Sequence, residues 1–435
     1  MRTFRLTAVM LFLLFSSSAA SAIEFTGQSS TYLQSRETAD STRLLPLYEY
    51  LNFKALNLGS ENISFHFGGW YRYDLENESF GTKSTSDLQY AYLSYKTDKG
   101  NAFLNLGRLY VNEGTSSEII DGAYGRTDLK GGFTIAAFGG RPVSPQGIII
   151  SASGGSPVPP GNDIRQDDSL YGGRLSHGLP DLYRIGFTYL REKNDGTDFR
   201  KEEGLDLWFR PVGKAELQGS SLYNALTSNW AQHNYYLTLG PFSNISFRTI
   251  YTYISYGDYF TTATTPVFKF DPTLINPNEK LSTIGEEVSF SQGKTTISAD
   301  YKKYSYDIAG DANYYGARLA FAGTQNIGAG LSVHRMDGQT DTLRYYEYRL
   351  YGYKKFEKTD ITVDLFTVSY DEEINGVKNA YSASLAGGYT LSANARLAAD
   401  VEYAKDPFFD RDVRGFVKLV YNFDIVPGAK GGNKQ

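Results

Sequence analysis

The sequence contains no cysteine. That excludes disulfides, thiolate metal sites and covalent c-type haem attachment by this chain. Histidine is nearly as scarce. His66, His177, His233 and His334 lie in separate segments without paired-ligand spacing, so no metal site is read from them. After Phe15 no apolar run approaches the length of a bilayer span, and no transmembrane helix is expected. Helical periodicity, composition shifts and linkers are also missing. The 435 residues therefore do not divide into the two or three soluble domains such a length usually means. The net charge of −5 is mild and argues against a nucleic-acid partner. No catalytic constellation emerges: Ser64 and His66 fall on one inward row, and a lipase working on bilayer lipid needs its serine and histidine on the lipid face. Asp195, Asp198 and Asp371 to Glu373 read as solvated acidic loops rather than Ca²⁺ sites. Gly172-Gly173 and Gly387-Gly388 fall within strands and precede no helix, so they cradle no phosphate. No cofactor is expected, and no enzyme.

What the sequence has is alternation. In Val413–Phe423 one row is Gly415, Val417, Leu419, Tyr421 and Phe423. The other is Arg414, Phe416, Lys418, Val420 and Asn422. Side chains of a strand alternate between faces, so one face is wholly apolar and the other carries two cations and an amide. The pattern recurs. Ala393, Leu397, Val401 and Tyr403 oppose Arg396, Asp400 and Glu402; Ile297, Ala299 and Tyr301 oppose Asp300 and Lys302. Leu205 and Leu207 oppose Asp206, Phe247 and Tyr251 oppose Arg248, and Tyr346 and Leu350 oppose Glu347 and Arg349. Facing mid-bilayer lipid, an Arg or Lys would cost on the order of 2–4 kcal/mol, and a dry sandwich core could not hold this many charges. The polar rows therefore enclose a wet, ion-laced interior. Its candidate lining is Arg108, Arg184, Asp206, Arg248, Asp300, Lys302, Glu347, Arg349, Arg396, Asp400, Glu402, Arg414 and Lys418, a set that would fix ion preference.

Strands are expected near 24–35, 46–58, 61–75, 86–97, 101–110, 119–129, 132–140, 167–176, 180–192, 201–212, 214–225, 229–239, 244–257, 281–291, 294–307, 313–323, 326–336, 341–355, 358–371, 377–389, 392–405 and 411–423. Their connections alternate between short turns and longer polar loops, the latter at 36–45, 76–85, 111–118, 141–166, 193–200, 258–280, 308–312 and 372–376. Sorting by parity is the habit of an outer-membrane barrel. It makes the strand number even when both ends lie on the short-turn side. The fold expected is all-β: a transmembrane antiparallel up-and-down barrel of about 22 strands, within a range of 18–24. Among aromatics, 35 Tyr and 27 Phe dwarf 3 Trp, a bias that suits interfacial girdles.

The N-terminus agrees. Arg2 and Arg5 precede the apolar Leu6–Phe15, and small residues lead to Ala20-Ser21-Ala22. This is the layout of a secretory signal peptide cleaved after Ala22. The expected division is a signal peptide at 1–22, a barrel at 23–423 and a short periplasmic tail at 424–435. Since the first strand begins at the cleavage site, no N-terminal plug is expected, although barrels of this width usually need a filling. A candidate constriction is the loop carrying Ile148, Ile149 and Ile150, whose apolar triplet would be poorly solvated outside.

Two resemblances follow. The last strand, with Tyr421 and Phe423 on its apolar row, resembles the closing strand of Gram-negative outer-membrane barrel proteins, where it is the assembly signal. That implies the barrel assembly machinery, outer-membrane lipid and lipopolysaccharide as partners. The tail after Phe423 departs from that pattern. Leu104-Asn105-Leu106-Gly107-Arg108 followed by Asp121-Gly122-Ala123 resembles porin-like channel proteins of metal-reducing bacteria. Some of these are the barrel of porin–cytochrome conduits, sheathing a multihaem cytochrome that carries electrons across the outer membrane. The resemblance implies a channel for small hydrophilic solutes or ions, or alternatively such a sheath with periplasmic and surface cytochromes as partners. A closed structural or adhesin barrel is the third reading.

Overall fold

In the computed structural model of the chain, the described residues are 23–37, 42–78, 81–143, 168–260, 276–324, 326–407 and 411–425. The strands are β1 (Glu24–Glu37), β2 (Arg43–Leu44), β3 (Pro46–Leu56), β4 (Ile63–Asp74), β5 (Ser84–Lys96), β6 (Ala102–Glu113), β7 (Ser116–Asp128), β8 (Phe133–Pro142), β9 (Ser169–Leu179), β10 (Tyr183–Asn194), β11 (Thr197–Val212), β12 (Ala215–Asn224), β13 (Asn229–Phe242), β14 (Ile245–Ser255), β15 (Lys280–Gln292), β16 (Thr295–Tyr306), β17 (Gly310–Thr324), β18 (Ile327–Gly338), β19 (Arg344–Lys355), β20 (Thr359–Ile374), β21 (Val377–Ser392), β22 (Ala395–Lys405) and β23 (Asp412–Ile425). β2 is a two-residue addition to the end of β1. The 22 long strands pair antiparallel with their sequence neighbours, and β23 pairs with β1 from Phe25↔Ile425 to Ser35↔Gly415. The sheet is thus a closed up-and-down barrel without a free edge, the form in which strands can satisfy every backbone group in lipid. β23 runs two residues past the expected boundary, to Ile425.

The two rows segregate as the alternation demands. On β23 the apolar row faces out, with Val417, Leu419 and Tyr421 exposed, and the same holds for Ile284, Val288 and Phe290 on β15 and Leu385 and Tyr389 on β21. Water would not tolerate a continuous apolar exterior of this extent; bilayer hydrocarbon solvates it.

One rim carries tight connections such as 213–214, 243–244 and 293–294. The longer separations, from Pro142 to Ser169 and from Ser255 to Lys280, start and end at the opposite rim, where the short helix α1 (Tyr256–Phe260) follows β14. Three expected loops there prove to be strand. Segments 111–118, 193–200 and 372–376 are crossed by two-residue turns at Gly114-Thr115, Asp195-Gly196 and Asn375-Gly376. Asp-Gly and Asn-Gly with both residues at positive φ, here 50° and 78° and then 49° and 77°, are the preferred two-residue hairpin turns. Polarity around them marked the strands' rise beyond the apolar band, not a loop. The Ile148–Ile150 triplet lies outside the described residues, as do 1–22 and 426–435.

Candidate functional site

The barrel interior has two regions of different character. Along β14–β23 the inward row is a strip of partnered charges. Arg248 lies over the Tyr236 ring at 4.9 Å and Lys302 over Tyr314 at 5.2 Å. His334 Nε2 is 3.0 Å from Asp300 Oδ1, and its ring stacks on Tyr314 at 4.8 Å. Tyr314 also donates its hydroxyl to Glu347 at 3.4 Å. Arg349 donates to Asp364 at 3.0 Å and Arg396 to Asp360 at 2.5 Å. Arg414 lies between Asp412 and Glu402, and Asp400 faces Phe416 in register. Lys418 caps the Tyr32 ring at 4.6 Å. Most of these groups stay open to the lumen.

The β6–β11 quarter is different. β6 stays in register with β5 only from Lys96↔Phe103 to Ala91↔Arg108. It departs at Gly107, whose φ of +133° suits glycine and where a Cβ would strike the Ala91 carbonyl. Beyond that point the β6–β7 hairpin rolls inward. Its Gly114-Thr115 turn comes to rest on the inner face of β9–β11. A Cβ on Gly114 would meet the Thr188 hydroxyl, the Asp206 carboxylate and the Arg174 guanidinium, and one on Gly204 would meet the Thr115 side chain. Glycine at 114 is thus required twice, by the close approach and by its φ of +58°.

Two layers hold the hairpin. Leu109, Val111 and Ile120 from the hairpin pack on Ala136 and Phe138 of β8, Leu170 of β9 and Leu190 of β10, with Leu109 at 1 % exposure and Val111 at 0 %. At about 25 cal/mol per Å² of apolar surface, these few side chains stabilise the inward position by several kcal/mol. Above them lies an ion network. Glu113 accepts from Tyr124 and lies 3.7 Å from Arg174 and 3.5 Å from Arg126. Arg174 also donates to Asp206 at 2.6 Å. Glu118 is paired closely with Arg200, which lies 2.8 Å from Glu202 and 3.8 Å from Glu192. Glu118, Glu192 and Arg200 are buried, so each needs the others.

Of the residues singled out in the sequence, Arg184, Asp206, Arg248, Asp300, Lys302, Glu347, Arg349, Arg396, Asp400, Glu402, Arg414 and Lys418 stand on inward rows. They are spread around the circumference, and only Asp206 belongs to the hairpin's network. Arg108 marks where β6 leaves β5: it donates two bonds to Asp121, at 2.7 and 2.9 Å, and one to the Leu88 carbonyl at 3.0 Å. Sequence reasoning missed Glu113, Glu118, Arg174, Glu192 and Arg200. Their signal was a glutamate on each side of the Gly114 turn, Glu113 and Glu118, and charges on each side of Asp195-Gly196, Glu192 and Arg200; Arg174 stood near neither turn. Asp198 and Asp371 are each held by a two-pronged arginine, Arg191 and Arg335. A serine–histidine contact does occur on the lipid face, at Ser221 Oγ and His233 Nδ1 2.8 Å apart. There Tyr235 shares the hydroxyl at 2.5 Å and the serine is buried, so the contact belongs to the outer aromatic belt.

No protein-family model matches the chain, and no curated protein matches it. Solved structures do. The siderophore receptor PirA from Pseudomonas aeruginosa aligns with a TM-score of 0.56 at 11% identity, covering 92% of this chain and 80% of that one. A point mutant of the ferric enterobactin receptor PfeA, from the same organism, gives 0.57 at 9% identity, with 94% and 81% covered. OccAB4 from Acinetobacter baumannii covers 94% and 99% at a TM-score of 0.43 and 10% identity, too distant to argue from. The likeness to the receptors is one of architecture: the chain has the closed antiparallel barrel fold of outer-membrane proteins.

Proposed function

We propose that this protein is an outer-membrane channel that passes small hydrophilic solutes or ions through a charged lumen narrowed by the β6–β7 hairpin. The observation carrying this reading is the hairpin itself, held inside the barrel by an apolar layer and an ion network. A bare barrel of this width would breach the membrane's sieve, and an inward segment narrows it while leaving a path along the charged β14–β23 wall. The same hairpin counts against the sheath reading, because a multihaem cytochrome needs that space. Export by the leader at 1–22, insertion through the β23 signal and residence in the Gram-negative outer membrane belong to this proposal, as do contacts with lipopolysaccharide. No catalytic step is assigned to it.

Single-channel recording in planar bilayers tests the reading. Purified, heat-modifiable protein is expected to give steady conductance steps that scale with salt, and a KCl gradient would report the sign of its selectivity. Folded protein that inserts and gives no steps would sink the channel. A haem protein that co-purifies with it would then favour the sheath.

A further inference from the structure

Tyrosine does more here than mark the membrane interface. On β23 and β1–β5 a series of rings faces inward. Phe416 meets Tyr32 at 5.3 Å between centroids, and Tyr32 meets Tyr50 edge-on at 5.0 Å. Tyr90 lies over Gly68, where any Cβ would collide with its ring. Tyr90 contacts Tyr92 at 6.0 Å, and Tyr92 stacks flat on His66 at 4.7 Å with an interplanar angle of 4°. From the hairpin, Tyr110 reaches Tyr90 at 6.0 Å. Register links Tyr32 to Tyr48, and Tyr92 through His66 to Lys54. Tyr48 and Lys54 are six residues apart on β3, which is about 20 Å along a strand at ~3.3 Å per residue. The rings therefore descend along the pore rather than forming a belt around it.

At the foot of this series Tyr90 helps line a recess of about 390 Å³ whose other walls include Gln28, Asn52, Asn394, Asn422, Lys54 and Asp424. Gln28 donates to Asn422 at 2.9 Å. The recess thus offers amides that both donate and accept, with one cation and one anion beside them. Half-buried rings on a wet wall are an unusual use of apolar surface: they save little by facing water and gain by stacking on a solute. A solute that suits rings above and amides below has flat C–H faces and many hydroxyls, and no net charge.

We propose that these inward rings form a binding track for neutral carbohydrate, with the amide recess as its periplasmic end. The proposal rests on the channel reading and names the substrate class of that channel. Sugar rings stack on Tyr50 and Tyr90, on the face of Tyr32 turned away from Lys418 and on the face of Tyr92 turned away from His66, and hydroxyls bond to the amides and to Lys54. Aromatic anions would share the stacking, but the recess lacks the clustered cations to hold them.

Calorimetric titration of the folded full chain with maltohexaose and with cellohexaose tests the track without requiring conduction, and benzoate serves as the aromatic anion probe. At least one hexasaccharide is expected to bind. Tyr32→Ala and Tyr90→Ala should each weaken it by about three- to tenfold, the size of one aromatic contact. Tyr304→Ala, an inward ring on the opposite wall, should leave binding unchanged. All variants should keep heat-modifiable mobility, the check that they fold. No saccharide binding, tighter binding of benzoate, or equal weakening by Tyr304→Ala would each overturn the track. Conductance separates the two readings. Saccharide binding by protein that gives no current leaves the track standing and removes the channel. Steady current that no hexasaccharide reduces removes the track alone.

Discussion

Two regions of the interior solve one electrostatic problem in opposite ways. On the β14–β23 wall, Arg349 pairs with Asp364 while its side chain remains 51% exposed. Under the hairpin, Arg200 is 9% exposed and ringed by Glu118, Glu192 and Glu202. Exposed pairs contribute little to stability, so in the proposed channel the first wall would be free to serve selectivity. Buried ones are strongly coupled, because removing either partner strands the other without water. In the proposed channel, charges that look alike in the sequence would thus divide into a set that tunes the pore and a set that holds its constriction in place.

The largest effect is expected where that coupling is tightest. Arg200→Ala leaves three carboxylates facing each other in a buried site, a loss of about 3–5 kcal/mol. It falls on the hairpin, because the rest of the barrel is held by its own continuous ladders. The expected outcome is larger and noisier conductance steps, with hydrogen exchange rising in 109–120 and unchanged in β14–β23. Exchange rising evenly around the barrel would mean that the two regions are not separable.

Next comes the apolar layer. Leu109→Ala removes a fully buried side chain from the contact with Ala136, Phe138 and Leu190 and should cost about 2–4 kcal/mol. Its outward counterpart, Leu419→Ala on β23, faces lipid and should cost less, since no protein cavity forms. Urea unfolding in detergent, followed by loss of heat-modifiable mobility, compares the two. Equal shifts for both would show that Leu109 packs no better than a lipid-facing leucine.

The same contrast explains what could be read from the chain. β23 was legible because its rows differ in polarity from end to end, and such rows have one solution in a bilayer. β6 was not. Leu104 and Leu106 form one apolar row while Leu109 and Val111 begin another, which is the mark of a strand covered on both faces. Alternation assigns one face to lipid and has nothing to say about a second cover. The partner surface, Phe138 and Leu190, is remote in sequence. Arg200 fell in a stretch read as loop because the Asp195-Gly196 turn was not recognised. The Tyr excess pointed to interfacial girdles, yet Tyr32, Tyr50, Tyr90, Tyr92 and Tyr314 face inward. Composition counts rings but does not say which way they point; only register does.

The smallest structural effect is expected on the open wall, and there the readout must be selectivity. Arg349→Gln removes a positive charge from the lumen and leaves Asp364 in water, at a cost on the order of 0–1 kcal/mol. Asp364→Asn does the reverse. If these charges tune conduction, their reversal potentials in a KCl gradient should move in opposite directions, Arg349→Gln toward cations and Asp364→Asn toward anions. The double variant should return near the starting value. Both shifts should shrink as salt rises and screening sets in. Neither variant should alter the exchange of 109–120. Parallel shifts, or any loosening of the hairpin, would mean that the pair supports the barrel's shape, and the division between a tuning wall and a latching wall would fail at the place where it predicts least disturbance.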